Sequence, residues 1–405
     1  MSQGISVLLS RCSIAYVLDM RNTAGWIWPV LTLNGNVMNL SDWRKLLIKL
    51  SYALWVCLKI ILLLVITLEA LSFALMALQN YVLYGSVFSH VPVRYDPETL
   101  FLMVDSNPPS DYNRVSADPK LNRIVWMFGG STVRCNAHWN RNNTLPALVA
   151  KFLNDNCKPN HFTVINFGEN GFNSILESKY LQKTFAEKRE VPDVVVFYDG
   201  ANDCFQFVEH RQPDGHIGYR RLKGFVESYR MGWFGVFKPI NAAIYASYTN
   251  EFIDRIRMLR DPVKHDSPTL EKMAELAVSR YDHLAKVTHC YNAEFVLIWQ
   301  PMPWVERCKA GKRVQQAERT TFMDIAKFPD LKESVTTTYD KLESTLWDKP
   351  YFVSFRNALC KRSEGLFRPD GIHLNDQGNE LMASVIGKLL IKKFPDRICP
   401  KKIEY

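Results

Sequence analysis

Short apolar runs alternate with longer stretches of mixed apolar and polar residues between residues 121 and 394. Continuous apolar strands that alternate with helices are typical of a parallel sheet covered on both faces. We therefore expect an α/β fold, with any ligand at the carboxyl ends of the strands. The predicted strands are residues 124–128, 163–167, 194–198, 295–299 and 351–355, and the predicted helices are residues 144–156, 174–189, 269–290, 330–347 and 376–394.

Residues 46–79 form a long apolar stretch, which exceeds the roughly 20 residues that a helix needs to cross a bilayer. They predict one transmembrane helix; the alternative is a buried helix of a soluble domain. Basic residues cluster at the start of this stretch, at Arg44, Lys45 and Lys49. The positive-inside rule then predicts that residues 1–45 are cytoplasmic and that the rest of the chain lies outside.

Glu69 falls within the apolar stretch, where an ionised carboxylate is costly. Two interpretations remain open. Either Glu69 is protonated, or it contacts a polar group of another membrane protein. The second interpretation predicts a multi-spanning membrane partner.

The flanking segments have weaker patterns. Residues 80–120 are rich in proline and predict a linker, and residues 121–400 form the expected α/β domain. Residues 205–268 are aromatic and basic and interrupt the alternation. We interpret them as an insertion near the carboxyl edge of the sheet, acting either as a lid or substrate groove or as additional packing.

The composition narrows the possible partners. The net charge is +9, but the basic residues are scattered and form no stripe interleaved with aromatic residues. This pattern argues against nucleic-acid binding and allows a mild attraction to anionic lipid or acidic glycan. The nine cysteines show no CxxC spacing, so no zinc site is expected. Some can pair in an oxidising compartment, for example Cys360 with Cys399, or they can remain as small buried side chains.

Four blocks of glycine and polar residues follow predicted strands or precede the final helix. Taken alone, each block is typical of a turn or of the start of a helix. Three of them follow successive strands, and the carboxyl ends of parallel strands meet at one edge of a sheet, so together they predict a single site. The blocks are "FGGSTV" with Ser131, "INFGENGFNS" with Gly168 and Gly171, "FYDGANDC" with Gly200, Asn202 and Asp203, and "RPDGIHLNDQG" with Asp370 and His373.

These residue types suit acyl transfer through a serine. A serine nucleophile needs a base within hydrogen-bond reach and a third group that orients the base. Asp370 and His373 lie three residues apart in a turn that contains Gly371. This spacing lets the carboxylate hold one imidazole nitrogen while the other faces Ser131.

The tetrahedral intermediate also needs hydrogen-bond donors for its oxyanion. We predict the backbone N–H groups of Ser131 and Gly171 and the side-chain amide of Asn202, with Gly168 as the alternative to Gly171. The supporting residues are Gly130 and Gly200, which shape turns, and Asp203, which braces its loop. Nothing in the sequence implies a metal or an organic cofactor.

The four blocks resemble those of the SGNH hydrolases, the GDSL-type esterase and lipase superfamily. The resemblance covers roughly residues 121–394 apart from the insertion. It implies a flavodoxin-like three-layer α/β/α fold with about five parallel strands. The first block departs from the pattern, because Gly130 stands where the family commonly has the aspartate of Gly-Asp-Ser. Membrane-anchored members linked to polysaccharide modification resemble this variant.

Three functions are consistent with the sequence. The first is a membrane-anchored serine esterase that removes O-acyl groups, in particular acetyl, from a cell-surface or secreted glycan. The second is an O-acyltransferase that acts on polysaccharide with a multi-spanning partner. The third is a non-catalytic glycan-binding or scaffold protein. The expected location is a bacterial inner membrane, with the catalytic domain facing the periplasm.

Overall fold

The computed structural model divides the chain into two compact units, residues 1–71 and 72–405. Each is described by itself. The residues described are 12–16, 29–33, 36–37, 40–84, 93–104, 109–134, 141–188, 190–230, 243–244, 246–308, 311–314, 328–368 and 370–399. Most of the predicted cytoplasmic segment and residues 231–242 of the insertion lie outside these ranges.

The first unit contains a small antiparallel sheet and most of a long helix. The strands are β1 (Cys12–Tyr16), β2 (Pro29–Leu33) and β3 (Asn36–Val37), in the order β1-β2-β3. The helix is α1 (Leu40–Tyr84), which contains neither glycine nor proline. Its residues 41–78 are long and apolar enough to span a membrane, and an 18-residue window within them has a mean hydropathy of 2.5. A single transmembrane helix is therefore compatible with the structure.

The second unit contains the α/β domain. Its strands are β4 (Val93–Asp96), β5 (Leu100–Met103), β6 (Asn122–Gly129), β7 (His161–Gly168), β8 (Val194–Asp199), β9 (Glu294–Trp299) and β10 (Phe352–Ser354). Its helices are α2 (Ser131–Arg134), α3 (Leu145–Asn156), α4 (Ser174–Glu187), α5 (Ala201–His210), α6 (Tyr219–Arg230), α7 (Tyr248–Arg260), α8 (Pro268–Cys290), α9 (Pro329–Leu346), α10 (Asp376–Lys393) and α11 (Pro395–Ile398).

Five parallel strands form the central sheet in the order β10-β9-β8-β6-β7. Numbered among themselves from the edge at β7, they read 2-1-3-4-5, the order of flavodoxin-like folds. The predicted α/β class with about five parallel strands is confirmed. Each predicted strand and helix overlaps an observed element, with ends that differ by a few residues.

Helices cover both faces of the sheet, so the side chains that point to either face of a strand are buried. In β6, Trp126 and Phe128 pack on the side of α4, α5, α8 and α9. Val125 and Met127 pack on the opposite side, with α3 and α10. This double burial is the reason that the strands appear in the sequence as continuous apolar runs.

The structure adds elements that the sequence pattern does not predict. Within the predicted linker, β4 and β5 pair as an antiparallel hairpin, and Leu102 of β5 is buried with Phe172 and Leu176. The insertion contains α6 and α7. The two strands of the hairpin have four residues each, which is too short for a clear alternation of apolar and polar positions.

Two disulfides join Cys157 to Cys399 and Cys308 to Cys360. The suggested pairing of Cys360 with Cys399 is therefore wrong. Cys157 caps the end of α3 and Cys399 follows α11, and α3 packs against α10, the helix before α11. Helix packing, rather than closeness along the chain, determines this pairing.

Candidate active site

The first three blocks emerge at the same edge of the sheet. In the register of the strands, Gly129 lies opposite Gly168 of β7 and Tyr198 of β8. One step further along β8, Asp199 lies opposite Trp299 of β9. The loops that follow β6, β7 and β8 therefore begin at one level, as the parallel arrangement requires.

Two glycines allow the sharp exit from β6 to Ser131. A β-carbon on Gly129 would lie 2.4 Å from Cγ2 of Val133, and one on Gly130 would lie 2.1 Å from Nδ2 of Asn202. The short helix α2 then starts at Ser131, and the Gly130 carbonyl accepts hydrogen bonds from the N–H groups of Val133 and Arg134. Both positions thus need glycine because neighbouring atoms approach the backbone too closely for a side chain.

Ser131, His373 and Asp370 form a continuous hydrogen-bonded chain. Nε2 of His373 lies 2.7 Å from Oγ of Ser131, and Nδ1 lies 2.8 Å from Oδ2 of Asp370. The His373 side chain is 24% exposed and Ser131 is half-buried, so a substrate has access to both. The structure therefore brings the three predicted residues together in the predicted order. Their catalytic roles stay a prediction.

The turn at residues 370–373 fixes the carboxylate beneath the imidazole. Oδ1 of Asp370 accepts hydrogen bonds from the N–H groups of Ile372 and His373 at 2.8 and 2.9 Å. Burial of Asp370 acts to raise its pKa, but these hydrogen bonds and the His373 ring outweigh burial and hold the pKa below its usual value. The carboxylate consequently remains ionised and able to orient the ring. Gly371 has a φ of 69°, which favours glycine, and Asn375 caps α10.

Two of the three predicted oxyanion donors, Gly171 and Asn202, lie after β7 and in the first turn of α5. Nδ2 of Asn202 donates one hydrogen bond to the Phe172 carbonyl at 2.6 Å, which leaves its second hydrogen for a substrate. Gly171 has a φ of 74°. The alternative residue, Gly168, differs in that its N–H donates to Oδ1 of Asn166 at 2.9 Å. The geometry therefore favours Gly171 over Gly168.

Asp203 and Gly200 support the first turn of α5, which carries Asn202. Oδ1 of Asp203 accepts a hydrogen bond from Oγ of Ser174 at 2.6 Å, and Arg280 donates to the same hydroxyl at 2.6 Å. These contacts join the third block to α4, which follows the second block. Gly200 begins α5 with a φ of 117°, and the Trp299 ring lies 3.1 Å from where its β-carbon would be. Asp203 is buried in the first turn of α5, so it braces the start of a helix rather than a loop, and it does not point to a reacting group.

Two further acids lie buried beside Asp203. Glu177 is fully buried, and neither of its carboxyl oxygens receives a hydrogen bond from a hydroxyl, amide or cationic group of the described residues. Burial raises its pKa well above the usual value, and neighbouring Asp199 and Asp203 raise it further. Burial also raises the pKa of Asp199 to about 7, although Tyr281 donates to it at 2.7 Å. At neutral pH this cluster retains protons that the unfolded chain would release.

The sequence analysis did not identify three other groups around the site. Arg134 and Glu169 form a buried ion pair at 2.9 Å that joins α2 to the loop after β7. Glu169 lies inside the second block and Arg134 directly follows the first, so the sequence places both charged residues next to predicted site residues. Ile217 borders the predicted oxyanion hole, because its Cδ1 lies 2.6 Å from where a β-carbon on Gly171 would be. Nothing in the sequence indicates this long-range contact.

Comparison with known proteins gives structural similarities of low strength. No protein-family model matches the chain, and no relative was found among curated proteins. The chain is similar to a lipase/acylhydrolase from Enterococcus faecalis at 15% identity and a TM-score of 0.37, covering 67% of this chain and 96% of that one.

Two other similar structures are an acetyl xylan esterase and a psychrotrophic esterase from a Pseudoalteromonas species. The first is 14% identical with a TM-score of 0.34, covering 66% of this chain and all of that one. The second is 13% identical with a TM-score of 0.35, covering 68% of this chain and 99% of that one. These values are too low to support an argument, so the function proposed below rests on the geometry of the chain itself.

Within the described ranges, no group of three or more histidine, cysteine and acidic side chains is arranged to hold a metal ion. The described residues include a serine hydroxyl that is hydrogen-bonded to His373, which is in turn hydrogen-bonded to Asp370. This arrangement suits attack on an ester carbonyl.

Proposed function

We propose that the chain is a membrane-anchored serine esterase that removes O-acyl groups, in particular acetyl, from a cell-surface or secreted glycan. The observation that carries the proposal is the hydrogen-bonded chain from Oγ of Ser131 through His373 to Asp370. A non-catalytic binding or scaffold protein has no need of a serine, a base and an orienting carboxylate in this geometry.

The reaction proceeds in two stages. Oγ of Ser131 attacks the ester carbonyl while Nε2 of His373 accepts its proton, and the oxyanion binds the N–H groups of Ser131 and Gly171 and Nδ2 of Asn202. Collapse of the tetrahedral intermediate expels the sugar hydroxyl, which receives the proton from His373. Water then attacks the acyl-serine with His373 again as base, which releases the carboxylic acid and restores Ser131.

The helix α1 and the disulfides support the proposed location. The helix α1 is long and apolar enough to anchor the chain, and two disulfides lie in the unit that follows it. Because disulfides persist in oxidising compartments, they support a catalytic domain on the outer side of the membrane, such as the periplasmic side of a bacterial inner membrane.

Reaction with a fluorophosphonate tests the proposed nucleophile. The full chain in detergent is treated with the reagent and the modified peptide is identified by mass spectrometry. We expect one adduct on Ser131 that is absent in Ser131→Ala and unchanged in Ser384→Ala, which removes an exposed hydroxyl on α10. The absence of an adduct on folded wild-type protein would contradict the proposal.

The same residues support transfer if a sugar hydroxyl replaces water as acceptor, which is the alternative function. Incubation with an acetylated and a deacetylated oligosaccharide distinguishes the two, because hydrolysis yields free acetate and transfer yields a newly acetylated sugar. A multi-spanning partner belongs to this alternative. If the Glu69→Leu variant no longer co-purifies with such a partner, the transfer function is supported. If the set of co-purifying membrane proteins is unchanged, the result counts against the transfer function.

A further inference from the structure

The helices of the insertion carry an apolar surface that the hydrolysis does not use. We define the apolar surface as Leu222, Phe225 and Val226 of α6 together with Ile253 and Ile256 of α7. Phe225, Val226 and Ile253 are 55%, 50% and 47% exposed. Residues three or four apart lie on the same side of a helix, so each helix presents its apolar residues in one direction.

Two ion pairs join the two helices. Arg220 of α6 pairs with Asp254 of α7, whose side chain is 2% exposed. Arg221 of α6 approaches Glu251 of α7, with 3.5 Å between Nη2 and Oε2. The apolar residues of α6 and α7 therefore lie on two helices that are joined to each other.

The first turn of α7 contacts the end of α1. Residues 72–78 of α1 belong to the second unit, and within it Oγ of Ser72 lies 3.4 Å from Oγ1 of Thr249, while the Phe73 ring packs edge-on against Tyr248 at 5.1 Å. Thr249 lies four residues before Ile253 on the same side of α7. The apolar stripe of α7 thus begins where α7 touches the apolar helix.

The charge around these residues suits an anionic lipid surface. The two helices together carry seven basic and three acidic side chains. Isolated exposed apolar residues are common on proteins, but a contiguous apolar surface with basic residues beside it is typical of a face that rests in the headgroup region of a membrane.

We propose that the apolar surface is seated on the lipid bilayer that α1 spans. The inference rests on the membrane anchoring proposed above. The turn before α6 contains Ile217, which borders Gly171, and the Gly215 carbonyl of the same turn accepts a hydrogen bond from Asn173 at 3.0 Å. Seating α6 on the bilayer therefore places the predicted oxyanion hole close to the lipid surface, where esters carried on the membrane reach it.

Labelling from within the bilayer tests the seating. The full chain is reconstituted in vesicles of phosphatidylcholine and phosphatidylglycerol that contain a phospholipid with a diazirine in its acyl chain. After illumination, lipid adducts are mapped by mass spectrometry. We expect adducts in α1 and also in residues 219–230 and 248–260.

A charged double variant and a matched control sharpen the test. In Phe225→Glu with Ile253→Glu we expect adducts on α6 and α7 to fall about 10²-fold, because each of the two apolar side chains contributes about tenfold to partitioning, while α1 labelling persists. Val115→Glu changes an apolar residue that is 76% exposed elsewhere and leaves the labelling unchanged.

Two results would overturn the inference. If α1 of the wild-type chain is labelled but α6 and α7 are not, the apolar surface does not rest on the bilayer, although α1 still anchors the chain. A lack of labelling in α1 itself removes the anchor as well. The fluorophosphonate reaction of Ser131 is independent of both results, so the proposed chemistry is judged separately.

Discussion

Nδ2 of Asn202 lies 2.1 Å from the position that a β-carbon on residue 130 would occupy. The same amide nitrogen donates to the Phe172 carbonyl at 2.6 Å, which fixes it in that place. Gly130 and Asn202 are therefore coupled, because the amide occupies space that any side chain at position 130 would need. This coupling gives a physical reason for glycine where the resembled family commonly has aspartate.

Replacement of Gly130 is expected to displace the Asn202 amide. Gly130→Ala should lower kcat for an acetate ester by about 10²-fold or more, the usual cost of losing one oxyanion donor. Steady-state kinetics with p-nitrophenyl acetate measure the effect. Gly311→Ala is the control, because no atom lies within 4 Å of its added β-carbon. Full activity in Gly130→Ala would show that Asn202 is not a donor.

Asp370 is expected to orient His373 by accepting a hydrogen bond from Nδ1. In Asp370→Asn the amide can donate to Nδ1 instead, which favours the wrong tautomer, so kcat should fall by about 10⁴-fold while KM changes little. Hydrolysis kinetics over a range of ester concentrations separate the two constants. Asp376→Asn, an exposed acid three residues beyond His373, should retain wild-type kcat. A comparable loss in both variants would point to damage of the turn instead.

The parallel strands and the position of the site were predictable because both leave local signals. All six residues of β8 are buried, and the apolar run ends directly at Asp199 and Gly200. A continuous apolar run of this length predicts a buried strand. The end of the run marks the end of the strand, where the polar residues of the site begin. Parallel topology then required Ser131 and Asn202 to meet at one edge of the sheet.

Features set by long-range packing were not predictable. Cys157 and Cys399 are separated by 242 residues and meet because their helices pack together. Ile217 reaches Gly171 from a turn whose place over the sheet has no local signature. The ion pair of Arg134 with Glu169 likewise depends on the approach of α2 to the end of β7.

Ile217 is expected to limit the acyl groups that the site accepts. It stands beside Gly171, so Ile217→Ala should open space there and raise kcat/KM for butyrate relative to acetate esters by about tenfold, in the range for a methylene in an apolar pocket. A series of p-nitrophenyl esters of increasing chain length measures this ratio. Ile244→Ala, which changes an isoleucine that is 60% exposed, serves as the control. An unchanged ratio would place the acyl group on another side of Gly171.

The Cys157–Cys399 disulfide is expected to stabilise the second unit. It closes a long loop, so Cys399→Ser should lower the free energy of unfolding by about 2–5 kcal/mol. Urea unfolding followed by circular dichroism measures the loss. Cys290→Ser removes an exposed free thiol and should have little effect. Alkylation of Cys157 in unreduced wild-type protein would contradict the pairing.

The buried acids predict that stability falls as the pH rises. Burial raises the pKa of Glu177 well above its usual value and that of Asp199 to about 7, and Asp203, Arg280 and Tyr281 surround them. The folded chain therefore binds more protons than the unfolded chain between about pH 4 and pH 7. Its free energy of unfolding should decrease over that range by about 1.4 kcal/mol per pH unit for each proton.

Glu177→Gln replaces the acid by a neutral group of similar shape and tests this dependence. The variant should show a smaller decrease of stability with pH, and at pH 8 it should unfold at a higher temperature than the wild-type chain. Thermal unfolding from pH 5 to pH 8 measures both effects. Glu333→Gln, which changes an exposed acid on α9, should follow the wild-type curve. If Glu177→Gln also follows that curve, Glu177 is not the group that retains the proton.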